Sequence, residues 1–342
     1  MIEIDGSYGE GGGQLTRTAV ALSAITGRAA RIVNVRARRD KPGLAPQHLA
    51  ALRAVAAVCD ASTEGLERGS TAVAFLPGAL KGGEYDFDVG TAGSATLVLQ
   101  AVLPALLASG EASRLVIRGG TDIRYSPPAD YVGEVLLRHL ARMGAHVDFR
   151  LRKRGYYPRG GGEIAVEIAP TRLCPVQWSS PGHLQALRGT AHVANLPVHI
   201  PQRMRDAALA QLGRLGAAAD IATPVLGGAD AIGRGGAIVV WAETERTVLG
   251  SARVAELGVR AETLGEAVGR ELKADIEAGV TVDLHAADQL LVYLALADGE
   301  SSFAVRELTS HARTAMWLIE QFLPLRFVED RPDGLSRVRV LR

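Results

Sequence analysis

Two histidines, a run of arginines and three glycine-dense turns hold most of the chemistry this sequence could perform. His48 ends the segment Arg36-Ala37-Arg38-Arg39-Asp40-Lys41-Pro42-Gly43-Leu44-Ala45-Pro46-Gln47-His48, where bases, a turn and a helix start fall together. Guanidinium forks suit phosphate oxygens, and a histidine at a helix start can hydrogen-bond the same group. His311 opens another helix behind Thr309 and Ser310. There the helix field disfavours the imidazolium and holds the pKa at or below its free value of about 6.5, leaving a neutral imidazole available as a nucleophile. Each histidine also reads as an ordinary helix residue, His48 packed or solvated and His311 incidental beside a Thr309 or Ser310 cap.

The glycines gather in Gly9-Glu10-Gly11-Gly12-Gly13, Gly119-Gly120 and Gly160-Gly161-Gly162. Gly11-Gly12-Gly13 follows a strand and precedes a helix, so its backbone can approach a phosphate whose charge the helix N-terminus favours. A merely tight strand-to-helix turn would need the same residues. Nearby, Glu10 could hold a divalent cation, and Arg17 lies one helical turn beyond Gln14. The sequence contains no GxxxxGK[ST], complete GxGxxG, HExxH or GxSxG, which counts against Walker-type ATPases and Rossmann dehydrogenases.

The elements that must position these residues follow one grammar three times: apolar helix, glycine stop, β-rich strand, loop and second helix. The first pass runs from Gln14 to Ile25, stops at Gly27, continues as Ala30 to Val35 and restarts near Pro46-Gln47-His48. The second runs from Ser94 to Ala108, stops at Gly110, continues as Arg114 to Ile117 and restarts near Pro127-Pro128-Ala129-Asp130. The third runs from Ala287 to Ala297, stops at Gly299, continues as Ser302 to Val305 and restarts near Thr309. Glycine after a helix supplies the left-handed position, and proline, serine or threonine suits the next start. Stripes such as Leu49, Leu52, Val55, Ala56 and Val58, or Met316, Ile319, Phe322 and Leu323, fit burial of one helix face against a sheet. With strand signals at Ala72–Phe75, Tyr85–Val89, Val147–Leu151 and Ile164–Ile168, this predicts an α+β fold of βαβαββ units, each a sheet with two helices on one face. The stretch 182–279 has its own pattern and reads as an inserted α/β domain: strand Ala191–Ala194, helix Arg203–Leu215, strands Ile238–Ala242 and Thr247–Leu249, helix Glu262–Glu277.

At 342 residues, 47% hydrophobic and 22% charged, the chain is long enough for two compact units and is not disordered in composition. The start Met1-Ile2-Glu3-Ile4-Asp5 lacks the bases of a secretory signal, no apolar run approaches a membrane span, and Cys59 and Cys174 form no CxxC. A cytoplasmic, reducing setting is expected. The net charge of +1 means that phosphate affinity must come from local clusters. One comprises Arg28, Arg31, Arg36, Arg38, Arg39 and Lys41; a second, Arg150, Arg152, Lys153, Arg154 and Arg159, reads equally as a solvated basic face.

In order along the chain, Gly9-Glu10-Gly11-Gly12-Gly13-Gln14, Arg36-x-x-Arg39-x-Lys41-Pro42-Gly43-Leu44-x-x-Gln47-His48, Thr91-Ala92-Gly93-Ser94, Gly119-Gly120-Thr121-Asp122, Tyr157-Pro158-x-Gly160-Gly161-Gly162 and Ala287-Asp288-Gln289-Leu290 resemble the RNA 3′-terminal phosphate cyclase family over nearly the full length. The combination is specific where no single piece is. The resemblance implies a cyclase domain over 1–181, an inserted domain over 182–279 and a third repeat over 280–342 that completes the first part. It also implies a three-step reaction. A histidine takes AMP from ATP, the AMP passes to an RNA 3′-phosphate, and the adjacent 2′-hydroxyl closes a 2′,3′-cyclic phosphate with release of AMP.

By the same resemblance, His311 matches the nucleophile, and Gln100, Pro127, His285, Ala286, Ala287, Asp288 and Gln289 match ATP-contacting positions. Arg17, Arg36, Arg39, Gln47 and His48 match the phosphate-rich centre for the RNA end, and Glu10 matches a carboxylate near Mg²⁺ or Mn²⁺. Arg38 stands where many relatives carry glycine, and Ala286 where leucine is frequent, so the loop shape and the fit around adenine differ there. Aromatic residues total 5%, which suggests recognition of the terminal phosphate and sugar rather than of base sequence. Two other readings stay open: a non-catalytic cyclase-like protein that binds RNA or assists ribosome assembly, against which His311 argues, and an enolpyruvyl transferase on similar repeats, which ATP binding would exclude.

Overall fold

The computed structural model describes residues 1–213 and 215–342. Strand β1 (Ile2–Asp5), helix α1 (Gly13–Thr26), β2 (Ala30–Val33), α2 (Pro46–Ala57), β3 (Ser62–Glu64) and β4 (Val73–Leu76) build a first sheet of order β1-β2-β4-β3, with β1 and β2 parallel. Next come β5 (Gly83–Asp88), α3 (Ala95–Ser109), β6 (Ser113–Gly119), α4 (Ala129–Tyr131), a π-helical stretch (Val132–Leu136), α5 (Leu137–Arg142), β7 (Val147–Gly155) and β8 (Gly162–Ile168). They form a sheet β7-β8-β6-β5, which β12 (Ala231–Ile232) extends beside β7. A further sheet, β10-β9-β13-β14, combines β9 (Leu184–Ala194), β10 (Ala219–Ala222), β13 (Gly235–Thr244) and β14 (Val248–Val254), with β11 (Val225–Leu226) also on β9. Helices α6 (His199–Leu212) and α7 (Ala261–Ala278) pack on it and on each other. The chain ends with α8 (Leu284–Leu296), β15 (Ser301–Val305), α9 (Ser310–Phe322), β16 (Arg326–Asp330) and β17 (Ser336–Leu341), in a sheet β15-β17-β16. This mixture of helices and sheets agrees with an α+β assignment.

The boundaries follow from local chemistry. Gly27 and Gly110 take left-handed conformations after α1 and α3, and Ser94, Asp283 and Thr309 cap α3, α8 and α9 through their side chains. Gly299 does not close α8. That helix ends at Leu296, and the backbone of Ala297 is already extended, so the glycine lies in the link to β15. Asp283 accepts from the backbone N–H groups of His285 and Ala286, which starts α8 at Leu284 rather than at Ala287.

Within 182–279 the sequence underestimates the structure. Strand β9 begins at Leu184, well before Ala191, and β10, β11 and β12 went unpredicted because their two to four residues carry no periodic signal. The helix expected over 203–215 spans His199–Leu212 instead, and Arg214 lies outside the described residues. Side chains of this stretch form a core of their own, including Leu187, Met204, Ile238, Val268 and Leu272, while the other three sheets share a larger one. At the centre of the larger core lies α3, buried on every side from Ala95 to Leu107 except at Gln100. Val176–Trp178 run beside β15 in parallel, with Ser302 N–H donating to Val176 O at 2.8 Å and Trp178 N–H to Ser302 O at 2.9 Å.

A buried ionic knot lies where β9 meets the second sheet. Arg154 on β7 donates to Asp122 at 3.2 Å and to Asp130 at 2.8 Å, and His192 on β9 lies 3.6 Å from Asp130. Burial pushes Asp130 up to about 6 against the pull of Arg154, and the same burial drives His192 down to about 3, so the histidine is neutral. Arg154 thus supplies the positive charge these acids need. We predict that Arg154→Ala lowers unfolding free energy by about 3 to 5 kcal/mol, because it strands two carboxylates in the interior. Chemical denaturation would measure it; a loss below about 1 kcal/mol would mean that the acids simply take up protons.

Candidate active site

The strand-to-helix turn after β1 is moulded onto α9. A Cβ at Gly9 would lie 2.1 Å from Thr314 Oγ1, so only glycine fits, and the Tyr8 ring stacks on Trp317 at 3.8 Å between centroids. This contact delivers Glu10 to the opening of α9. Its Oε2 lies 2.7 Å from His311 Nε2 and accepts from Ser310 Oγ at 3.3 Å, while Oε1 accepts from Arg39 at 2.6 Å. Burial lowers the His311 pKa; Arg39 and Arg17 push the same way and Glu10 opposes them. The result is a neutral, half-buried imidazole whose Nε2 lies 2.7 Å from a carboxylate oxygen.

His48 is the third residue of α2, and its Nδ1 accepts from Ala45 N–H at 3.3 Å. Its other face abuts the start of α1, for a Cβ at Gly13 would fall 2.0 Å from Nε2. Burial, with Arg17 and Arg36 nearby, drives its pKa down to about 3. The glycine run is therefore a close-packing device at Gly9 and Gly13. Arg17 is buried on α1 and has no ion pair among the described residues; burial lowers it to about 10, with Asp288 opposing. A buried cation without a partner suits an anion from outside.

His311 and Arg17 also line a cavity of about 570 Å³ bounded by α1, α3, the 123–128 loop, β14 and α8. Gln100, Pro127, His285, Asp288 and Gln289 line it too, with Gln100 donating to Gln289 Oε1 at 2.5 Å. Burial raises Asp288 to about 7; opposing it are the positive charge of His285 and a hydrogen bond from Gln14 at 3.2 Å. His285 is held by Glu271 at 3.1 Å, which raises its pKa. Ala286 and Ala287, expected beside the nucleotide, turn their side chains into the core instead.

The sequence-predicted residues thus form two adjoining zones. Six of them line the cavity with His311, while Glu10, Arg36, Arg39, Gln47 and His48 gather outside its wall, joined to it through Glu10–His311 and Arg17. Wall residues the sequence did not flag are Gln14, which stands in a quoted motif, and Arg124, Tyr125, Arg253 and Glu256, which carry no periodic or motif signal. Arg124 and Glu256 pair at 3.1 Å across the mouth. The first arginine cluster divides: Arg28 donates to the carbonyls of Gln321 and Phe322 that end α9, Arg36 to Gly43 O, Arg38 to Gly9 O and Arg39 to Glu10. The second is largely neutralised, with Arg150 on Asp148, Arg152 on Glu163 and Arg154 inside the knot.

The family described as RNA 3′-terminal phosphate cyclase matches residues 8–328. An RNA 3′-terminal phosphate cyclase of Nitrosospira multiformis is 54% identical, over 99% of this chain and 96% of that protein. Those of Methanopyrus kandleri and Methanosarcina barkeri are each 43% identical, over 98% and 99% of this chain and 99% and 100% of theirs. The solved structure of the enolpyruvyl transferase NikO from Streptomyces tendae is 12% identical and covers 99% of this chain and 47% of its own, with a TM-score of 0.39, too low to bear on fold or function. The chain belongs to the RNA 3′-terminal phosphate cyclase family.

Proposed function

We propose that the protein converts an RNA 3′-terminal phosphate into a 2′,3′-cyclic phosphodiester at the expense of ATP, through AMP bound covalently to His311. The observation that carries this reading is the neutral His311 imidazole, 2.7 Å from Glu10, at the wall of a cavity shared with Gln100, Asp288 and Gln289. In the first step an imidazole nitrogen attacks the α-phosphorus of ATP, the bond to the β-phosphate oxygen breaks, and pyrophosphate leaves. The ring proton has Glu10 as its nearest acceptor. A terminal RNA phosphate oxygen then attacks the same phosphorus and frees the histidine. Finally the 2′-hydroxyl attacks the 3′-phosphorus and expels AMP. Splitting one difficult displacement into easier ones is what a covalent intermediate accomplishes.

Arg17, Arg36 and Arg39 supply the charge neutralisation on which phosphoryl and nucleotidyl transfer mainly depend. Gln47 and His48 adjoin them, His48 as a neutral hydrogen-bonding group. Mg²⁺ or Mn²⁺ would bind mainly through phosphate oxygens and waters, with Glu10 as the protein carboxylate in reach, and would offset negative charge on the nucleotide. Glu10 already accepts from Arg39 and Ser310 and lies 2.7 Å from His311 Nε2, so holding an ion means giving up one of those contacts.

The same reading takes the chain as three βαβαββ units. Residues 1–181 hold two of them and Val176–Trp178, the first strand of the third; 182–279 is an inserted domain; and 280–342 completes the third. Its support is the recurring element order and the separate core of the 182–279 stretch. The two unpaired cysteines suit a cytoplasmic setting.

His311→Ala is expected to abolish covalent transfer from α-labelled ATP while the thermal unfolding midpoint stays unchanged; label retained by that variant defeats the assignment. Because the folded His311 pKa lies below 6.5, the imidazole is already neutral there. Self-adenylylation at saturating ATP should therefore hold its rate between pH 8 and 7 and decline on acidification at a lower pH than an ordinary histidine would impose. A rate that falls steeply between pH 8 and 7 would contradict a neutral nucleophile.

A further inference from the structure

The loop between β7 and β8 contains a quoted motif, Tyr157-Pro158-x-Gly160-Gly161-Gly162, to which no role has yet fallen. Its base is rigid. Gly160 N–H donates to Tyr156 O at 2.8 Å, and Tyr156 itself is buried. A Cβ at Gly160 would lie 2.7 Å from Thr91 O and from Ala92 Cα, and one at Gly155 would lie 2.3 Å from Gly162 N and 2.6 Å from Gly119 O. Backbone packed this closely on backbone leaves little room for a second arrangement.

From that base Tyr157 projects 78% exposed, with no hydrogen-bond partner among the described residues. Two residues on, Arg159 is exposed. Unlike Arg150, Arg152 and Arg154 on the adjoining strand, it has no carboxylate partner among the described residues. The turn between β12 and β13 lies against it, for a Cβ at Gly233 would be 3.9 Å from Arg159 Cβ, and Asn195 fixes this turn by donating to Gly233 O at 2.6 Å. The next residue, Arg234, is exposed and likewise unpaired among the described residues. Two unneutralised guanidinium groups on adjoining turns, with an unpartnered aromatic ring on one of them, answer the chemistry of a single-stranded nucleic acid, phosphates for the cations and a base for the ring.

The position fits as well. Thr91-Ala92-Gly93 carries Gly160 against Thr91 and Ala92, and Gln47 against Gly93, where a Cβ would be 2.9 Å from Gln47 Cβ. Tyr157 and Arg159 are thus separated from the Arg36, Arg39 and His48 centre by a single three-residue turn. We propose that Tyr157, Arg159 and Arg234 seat the nucleotides just upstream of the reacting RNA end, the ring stacking on a base and the guanidinium groups holding backbone phosphates. The inference rests on the cyclase reading and extends it from the terminal phosphate to the RNA body. A chain poor in aromatics needs only one well-placed ring for this, and stacking on it is indifferent to base identity.

Fluorescence anisotropy with a 5′-labelled single-stranded RNA decamer ending in a 3′-phosphate tests it, on proteins whose unfolding midpoints match. Tyr157→Ala should weaken binding about tenfold and Tyr157→Trp should retain it. The double variant Arg159→Ala, Arg234→Ala should reduce the slope of log affinity against log salt by about 1.4, which is two phosphate contacts on a single strand. Unchanged affinity in Tyr157→Ala, equal losses in the Ala and Trp variants, or an unchanged salt slope would each overturn the seat. Labelling of the wild-type protein by α-labelled ATP on the same preparation reports separately on the cyclase reading.

Discussion

Everything proposed for this site depends on one long-range closure, the packing of the turn after β1 onto α9. Glu10 and Ser310 are 300 residues apart in sequence, yet their side chains share a hydrogen bond. The closure is made by shape before charge: Thr314 occupies the space a Gly9 side chain would need, Tyr8 stacks on Trp317, and Arg28 donates to the carbonyls that end α9. Only once these surfaces meet does Glu10 find His311. Closing so long a loop costs chain entropy, which the packing on both sides of the contact must offset.

Much of this organisation is legible in the sequence. Helix α1 and its Gly27 stop, α3 and its Gly110 stop, and the start of α9 behind Thr309 follow from caps and periodicity. So does the gathering of Arg36, Arg39, Gln47 and His48 at one loop, because local turn chemistry and a short connection decide it. What stayed hidden depends on distant partners. The strands β10 to β12 exist because β9 and β7 offer free edges, and nothing in two to four residues announces that. Arg253 and Glu256 reach the cavity only because β14 lies over α8, a placement with no periodic signature. The burial of Ala286 and Ala287 beside cavity-lining His285 and Asp288 was hidden for a different reason: neighbouring residues on one helix look in different directions.

The arginines illustrate why composition says little about phosphate affinity. With a net charge of +1, the sequence as a whole gives no indication of an anion site. Most of its clustered bases are consumed by nearby carboxylates or backbone carbonyls, and Arg154 spends its charge on the buried Asp122 and Asp130. The few left over are the informative ones. Arg17 is the extreme case, a guanidinium kept from water whose desolvation only an incoming anion would offset.

The glycines at positions 13, 93, 119, 155 and 160 sit where an added methyl group would meet another atom at 2.0 to 2.9 Å. None of them needs to touch a ligand to be irreplaceable. A saturation mutagenesis screen scored by growth or turnover would therefore rank them beside His311 and invite the conclusion that all six belong to one chemical apparatus. Scored instead by the amount of soluble folded protein, the same library would split them: the glycines fail as architecture, and the histidine does not.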